Sequence, residues 1–515
     1  MNEQTRTSRR GRKRQQDKTQ ASGNNTAVYR QLKHPYEPQK VFSDDEVHAI
    51  HDTALKVLEE LGIKILLEEA RSIFQAAGAK VEQESQMVFI GRDIVESALK
   101  TAPKSIRMRA RNLEREQDYA LGSMLFAPGA GCPNVTDRLR GRRPGDLESY
   151  EETLKLQQAF DVMHVLGPSS EPQDVPIQDR HYAQMKSQMT LCDKPMFAYS
   201  RGRQQVEQIF ELLQTGLNLS SDDFVDGSWV FTIINTNSPR LIDNPMAQGV
   251  IDFARAGQMS IITPFCLSGA MAPVTVAGAL VLQHAEALAC IALSQLAKSG
   301  APVSYGGFAS NVYMKSGAPA FGTPEHVKLE IGSGQLARLI GLPWRTAAGS
   351  AGVANDMQSA GENHMGLWGS LMANATVCVH SAGWLEGGLT FGYEKYINDI
   401  EALQTIAELC KPTAADFGAL AWEALSDVEP GGHFFGTQHT MDRYQTAFYD
   451  PLVADLNNHG NWVEGGCVEA PERATKVWQK TLQEFVAPEG ALEIEERLAP
   501  YIEKKKAEGG APPLD

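Results

Sequence analysis

Cysteine is scarce. Only seven residues of 515 are cysteine: Cys132, Cys192, Cys266, Cys290, Cys378, Cys410 and Cys467. No two of them form C-x-x-C, which excludes a disulfide-stapled scaffold and points to free thiols in a reducing compartment. There is no H-E-x-x-H and no Cys/His cluster of zinc spacing, so no protein-ligated metal is expected. His284 and Glu286 in LQHAEAL share two letters of a zinc helix, and their spacing supports no more than an ordinary helix. Basic residues are also in the minority. With 48 Lys+Arg against 63 Asp+Glu the formal charge is −15, which gives nucleic acid no global basic field. No uninterrupted apolar run approaches the ~18 residues of a spanning helix, so no membrane segment is expected. A P-loop, a G-x-S-x-G elbow at a strand end and a G-x-G-x-x-G after the first strand are absent too. Walker-type phosphate binding, serine hydrolysis by that elbow and a Rossmann dinucleotide site are thereby excluded.

What remains is a globular mixture, 42% hydrophobic and 22% charged, long enough to bury a large core. Residues 1–35 are polar and locally basic (RTSRRGRKRQQDK) and read as a disordered arm. Order is expected from Phe42. Ser43 and Glu46 make a capping box, Val47, Ile50, Ala54, Val57, Leu58 and Leu61 fall on one helical face, and Gly62 stands where a helix stops. With two further helical patterns, residues 36–120 read as a small N-terminal α/β cap.

Between residues 121 and 400 short apolar runs recur, each ending in small or polar residues. They begin at Met124, Val162, Pro195, Trp229, Ser260, Val303, Pro343 and Thr376. Successive starts lie 31 to 43 residues apart, room for a helix and a return. Helical patterns such as DLESYEETLKLQQAF and AEALACIALSQLAKSG fill the gaps. Eight strand–helix units of nearly constant period predict an α/β fold of the (β/α)8 TIM-barrel type. Residues 401–505 read as a helical C-terminal extension, and 506–515 as a fraying tail.

A TIM barrel carries its active site at the C-terminal ends of the strands. Those ends supply Tyr199, Asn235, Phe265, Tyr305, Phe308, Arg345 and His380, with Trp384, Phe391 and Tyr393 just beyond the eighth. Aromatic rings are frequent there although the chain is only 8% aromatic. Aromatic faces attract a cation that cannot donate hydrogen bonds, such as a quaternary ammonium group. Any single ring serves equally well as barrel filling, and His380 as a buried histidine satisfied by the backbone. Asp356, Gln358 and Glu362 open the helix after the seventh strand, where the dipole alone favours acids.

PWRTAAGSAGVANDMQSAGE and CVHSAGWLEGGLTFGYEKYINDIEAL, spanning Leu342 to Asp399, resemble the trimethylamine methyltransferase family. FAPGAGCPNVTD, CDKPMFAYSRG, TQHTMDRYQTAFYDPL and NWVEGGCVEAPERATKVW extend the likeness over roughly 40–505. The resemblance implies a barrel whose mouth receives a separate corrinoid protein, whose Co(I) takes a methyl group from a substrate nitrogen. Founding members carry pyrrolysine. This chain has only ordinary residues, and it is similar instead to the branch that demethylates glycine betaine and related quaternary amines.

The expected activity is methyl transfer from a quaternary amine, first glycine betaine, to the corrinoid of a partner protein. Trimethylamine, proline betaine and carnitine are the alternative substrates. A non-catalytic quaternary-amine-binding barrel is the alternative of another class, and an unrelated barrel lyase a further one. No D-x-H-x-x-G occurs, so the corrinoid is expected with the partner rather than tightly bound here. Candidate catalytic residues are His380, Glu362 and Gln358. Arg345 and Asn235 are candidate carboxylate donors, and Tyr199, Phe265, Tyr305, Phe308, Trp384, Phe391 and Tyr393 the candidate cage. The expected setting is cytoplasmic, with a homo-oligomer as a further expectation.

Overall fold

Seven parallel strands form the central sheet of the structure, a computed structural model that describes residues 28–514. They are β1 (Ser123–Phe126), β2 (Met196–Phe197), β3 (Val230–Ile234), β4 (Met259–Ile262), β5 (Val303–Gly306), β6 (Trp344–Ala347) and β7 (Val377–Val379). Their order, β1-β7-β6-β5-β4-β3-β2, curls the sheet so that first and last strands approach each other. Leu125, Phe197, Phe231, Ile261 and Val379 meet inside the curl as one apolar cluster. The fold is therefore mixed α/β around a curled parallel sheet, with helices outside.

One expected strand does not form as such. Val162–Leu166 bridges the two sheet edges through single bonds, His164 N–H to Phe126 O (3.1 Å) and Leu166 N–H to Pro195 O (2.9 Å). Glutamine side chains do much of the pairing at this seam. The Gln157 amide donates to Gly167 O and accepts from Gly167 N–H, both at 3.0 Å. Gln188 does the same for Phe197, at 2.9 and 3.0 Å. A buried backbone group needs a partner, and an amide side chain carries both a donor and an acceptor. Ladder pairing is replaced here rather than lost.

The N-terminal segment before the central sheet mixes short helices and strands. Ser43 and Glu46 make the capping box of the helix Asp44–Lys56, and Gly62 takes a left-handed φ of 66° after it. The N-terminal strand Ile63–Ile65 pairs in parallel with Leu241–Ile242 from the connection after β3, in a small sheet separate from the central one. A hairpin, Ser105–Met108 with Gln117–Ala120, plugs the N-terminal end of the curl. Its Tyr119 hydroxyl meets the Ser304 hydroxyl at 2.7 Å inside.

The helix Val276–Ala297 is the one helix among the described residues that is long and apolar enough to cross a membrane. Its most apolar window is 78% buried, packed between the cap and the sheet, and that burial accounts for its composition.

Both expected disordered ends need correction. Of the arm at 1–35, residues 1–27 lie outside the described residues, but Leu32–Lys33 pairs antiparallel with Ser123–Met124. The Tyr29 hydroxyl donates to Arg115 O (2.7 Å) and His164 O (2.9 Å), anchoring the chain before Phe42. At the other end the helix Ala491–Ala507 buries Ile494 and Leu498 on the outer helices. The tail then docks: Ala511 N–H donates to Gln178 O (3.0 Å) and Leu514 N–H to Arg201 O (2.9 Å). Backbone pairing holds a segment whose composition suggested fraying.

Candidate active site

The C-terminal ends of β6 and β7 bring Arg345 and His380 together. Trp344 and Thr346 face outward, Trp344 Nε1 donating to Asn374 O (3.0 Å) and the Thr346 hydroxyl meeting Ser370 (2.6 Å). Strand alternation therefore sends Arg345 inward. His380 ends β7 in the left-handed region, with φ 57°. That turn aims its ring at Arg345: Nδ1 accepts from Ala130 N–H (3.2 Å) and Nε2 lies 3.3 Å from Arg345 Nη2.

The electrostatics of this pair are specific. Burial, with the Arg345 charge adding to it, holds His380 well below its ordinary value, so the ring is neutral. If Nδ1 accepts from Ala130, the single ring proton sits on Nε2, facing the guanidinium. Burial pushes Arg345 down to about 9, which leaves it cationic at neutral pH. Arg345 is 1% exposed, and among the described residues its Nε and Nη1 have no hydrogen-bond partner. Donors thus converge on one spot without an acceptor, and an anionic oxygen is the group that satisfies them.

Aromatic rings surround this spot. The Arg345 guanidinium lies 4.2 Å over the Phe308 ring, and Phe265 sits 4.7 Å from Phe308. His380 stacks on Trp384 at 4.4 Å with 19° between the planes. Phe308 N–H donates to the Gln283 side chain (3.2 Å), which fixes the turn after β5. The Trp384 turn is held by Asp399, which accepts from Gly383 N–H (2.9 Å) and pairs with buried Lys395. Gly349 (φ +102°) must lack a side chain, because a Cβ there would come within 2.2 Å of the Trp384 ring. Phe265 and Phe308 keep partial exposure, and Asn235 stands open to solvent beyond β3.

Not every expected residue joins this group. Tyr305 points outward from β5: its hydroxyl meets Gln283 (3.2 Å) and His284 (3.3 Å) in the helix layer. Its parity on the strand is that of the outer face. Phe391 and Tyr393 lie in the C-terminal layer, against Tyr396 (5.5 Å) and Trp478 (5.2 Å) respectively. Tyr199 sits at the end of β2 with Arg201 4.1 Å over its ring, half-buried. Glu362 accepts from the Ser350 hydroxyl (2.6 Å) and from Ala351 N–H (2.8 Å) and Gly352 N–H (3.2 Å). Exposed Gln358 donates to the same carboxylate (2.9 Å). These two residues shape the loop after β6, and their hydrogen bonds do not reach Arg345 or His380.

Phe321 was missed. It lies 5.0 Å from Trp384 and 6.1 Å from Phe308, yet it comes from a Gly/Pro-rich segment and not from the end of a central-sheet strand. Nothing in its sequence surroundings marks it. His284 and Glu286 are structural: His284 meets His51 (2.8 Å), and Glu286 accepts from Ser238 (2.7 Å) and Arg240 N–H (2.6 Å). Among the described residues no group of three His, Cys, Asp or Glu could hold a metal ion.

A curled parallel sheet with a buried cation, a neutral imidazole and aromatic faces at its C-terminal rim marks this chain as an α/β protein with a candidate site at the strand ends. More specifically, the chain belongs to the trimethylamine methyltransferase (MTTB) family, whose sequence model matches residues 7–510. It is 32% identical to a glycine betaine methyltransferase of Desulfitobacterium hafniense over 91% of this chain and 98% of that one. A trimethylamine methyltransferase MttB of the same species is 28% identical over 91% of this chain and 94% of its own. An L-carnitine:corrinoid methyltransferase of Eubacterium limosum is 26% identical over 89% of this chain and 96% of its own.

Proposed function

We propose that this protein transfers a methyl group from a carboxylate-bearing quaternary amine, first among them glycine betaine, to the cobalt of a corrinoid carried by a partner protein. The observation that carries the reading is the buried Arg345 guanidinium, two of whose N–H positions lack acceptors, beside the His380 ring and the Phe308 face. On this reading the bridged sheet is a closed (β/α)8 barrel, and the site opens at its mouth.

In the proposed complex the substrate carboxylate bridges Arg345 and His380 Nε2. A planar carboxylate matches the guanidinium fork, which a lysine could not reproduce. The trimethylammonium head lies against the exposed parts of Phe308 and Phe265, with Trp384 and Phe321 behind, where aromatic faces favour a cation. Tyr199 and Asn235 bound the mouth. Low-valent cobalt supplies the nucleophile. The N–CH3 bond breaks with both electrons remaining on nitrogen, so the product is a neutral tertiary amine, dimethylglycine in the glycine betaine case. No proton is needed, which agrees with a His380 ring held neutral. A tertiary amine such as trimethylamine would require protonation first, and the His380–Arg345 pair is poorly placed to supply it. The chain's task is then to orient one methyl group and exclude water, which can supply up to ~7–11 kcal/mol in ideal cases. Glu362 and Gln358 act at one remove, by fixing the loop Ser350–Gly352.

The cysteines are all unpaired and five are buried, which supports a reducing, cytoplasmic setting. The direct experiment is methylcobalamin formation from free cob(I)alamin, screened over glycine betaine, proline betaine, carnitine and trimethylamine. Turnover of glycine betaine above the others is expected. Methylation from none of the four overturns the catalytic reading. Tight betaine binding without transfer, even with a reduced corrinoid partner, identifies a non-catalytic binding barrel.

A further inference from the structure

Glu286 is the only Asp, Glu, Lys or Arg in the 22 residues of the helix Val276–Ala297, and it is 0% exposed. Packing does not call for an acid there, since a buried carboxylate is costly unless it is hydrogen-bonded. Its partners all come from the connection after β3. The hydroxyls of Thr236 and Ser238 donate to Oε2, the second at 2.7 Å, and Arg240 N–H donates to Oε1 at 2.6 Å. Bonds to a carboxylate are stronger than bonds to a neutral acceptor. Arg240 stands in the left-handed region, with φ 56°, a conformation that persists in a non-glycine residue where its surroundings impose it.

The same carboxylate reaches the candidate site by two routes. Thr236 and Ser238 are buried, whereas Asn235 and Asn237, which alternate with them, are exposed. Holding the buried pair therefore fixes how Asn235 stands at the mouth. The Ser238 hydroxyl also meets the Cys266 sulfur at 3.3 Å, and Cys266 directly follows Phe265. One turn earlier on the same helix, Gln283 accepts from Phe308 N–H (3.2 Å) and Ala309 N–H (3.0 Å).

We infer that Glu286 is a positioning residue for amine binding, setting Phe265 and Asn235 as Gln283 sets Phe308. The inference rests on the reading that the ammonium head lies against those rings. Phe265 and Phe308, 4.7 Å apart, both lie beyond the central ladder, whose strands end at Ile262 and Gly306. The short pairing of Leu267–Ser268 with Ser310–Asn311 joins the two segments to each other. Gln283 and Glu286 join them to the helix. The rings keep their place in the site only while those two side chains hold. A displacement of ~1 Å can cost on the order of 100-fold where geometry decides the outcome.

Titration calorimetry of the full-length chain with tetramethylammonium and with glycine betaine tests this. Glu286→Leu removes both acceptor oxygens and is expected to weaken both ligands by a similar factor, about tenfold. Glu286→Gln keeps the shape. Its carbonyl accepts from Arg240 N–H and its amide donates to the two hydroxyls, so both affinities should stay within about threefold of wild type. Leu498→Ala, a cavity among the outer helices, is the stability control. It should lower the melting temperature and leave both affinities unchanged. Unchanged affinity in Glu286→Leu overturns the inference, and so does an equal loss in Leu498→Ala. A Glu286→Gln variant as weak as Glu286→Leu also overturns it, because the effect then lies in charge and not in position. Should Glu286→Leu fail to fold, Ser238→Ala replaces it, with an expected loss of about threefold for both ligands. No loss overturns the inference. Binding of neither ligand by wild type overturns the proposed function instead, and hydrogen exchange then decides the positioning role alone. Residues 235–242 and 265–268 should exchange faster in Glu286→Leu, or in Ser238→Ala where that replaces it, than in Leu498→Ala, and equal exchange overturns that role.

Discussion

Arg345 Nη2 and His380 Nε2 face each other at 3.3 Å, from the ends of neighbouring strands, and neither can serve as the other's full partner. A guanidinium has only donors, and the His380 ring already uses Nδ1 to accept from Ala130 N–H. The pair is thus incomplete without an anion. The proposed chemistry and its cost in stability both follow from that.

Replacing Arg345 should have opposite effects on binding and stability. Arg345→Met is expected to weaken glycine betaine by ~1.5–3 kcal/mol, roughly 10- to 150-fold, through loss of charge-assisted hydrogen bonds. Tetramethylammonium, which has no carboxylate, should change by less than about threefold. The ligand-free variant should also resist urea better than wild type, by ~1–3 kcal/mol, because an uncompensated buried charge is gone. Titration calorimetry and equilibrium unfolding measure the two effects. Equal losses for both ligands would remove Arg345 from its assigned role.

Phe308 and Tyr305 separate inside from outside on one segment. Phe308→Ala is expected to weaken quaternary amines by ~1–2 kcal/mol, whether or not they bear a carboxylate. Tyr305→Phe should leave amine binding unchanged and cost only ~0.5–1.5 kcal/mol of stability, from its lost bond to Gln283. Reduced amine affinity in Tyr305→Phe would contradict the outward orientation of that ring.

Three buried histidines make stability depend on pH. Burial holds His181 and His326 at about 4 and His164, with Lys194 nearby, at about 3. In the unfolded chain they titrate near 6.5, so below that value the unfolded state binds more protons. Stability is therefore complete above pH ~6.5 and falls as the pH drops toward ~4, by up to ~1.4 kcal/mol per pH unit for each histidine. Urea midpoints across that window test the sign. A flat profile would mean that these rings are not buried and neutral.

The buried Lys395–Asp399 pair, which holds Gly383 ahead of Trp384, should be costly to break and cheap to replace. Lys395→Met alone is expected to destabilise by ~3–5 kcal/mol, because it strands a buried carboxylate. Lys395→Met with Asp399→Asn should recover much of that loss, since a neutral amide can still accept from Gly383 N–H. Thermal melts of the two variants decide it.

Much of the architecture was legible because it rests on local pattern. The Ser43 capping box, the Gly62 stop and the Asp356 cap all form where short-range hydrogen bonding places them. Seven of the eight apolar runs became strands at the expected period, because a strand buried on both faces needs a continuous apolar run. Of the candidate site, Arg345, His380, Phe308 and Phe265 were reached by counting to strand ends, and Trp384 by looking just beyond the eighth. Tyr305 was misplaced because a continuous apolar run hides which parity faces inward. Phe391 and Tyr393 were misplaced because the turn Glu386–Gly388 intervenes after Trp384, and beyond it distance from the strand no longer dictates direction.

By itself the sequence determined the period of the sheet, the helix caps, the family and the residue types available at the rim, since each is written in neighbouring residues. Only the tertiary structure decided that Gln157 and Gln188 bridge the seam, that Phe321 joins Trp384, and that Arg345 stands beside His380 without a counter-anion. Those relationships join segments distant in sequence, and burial and hydrogen-bond satisfaction across such distances depend on the packed whole.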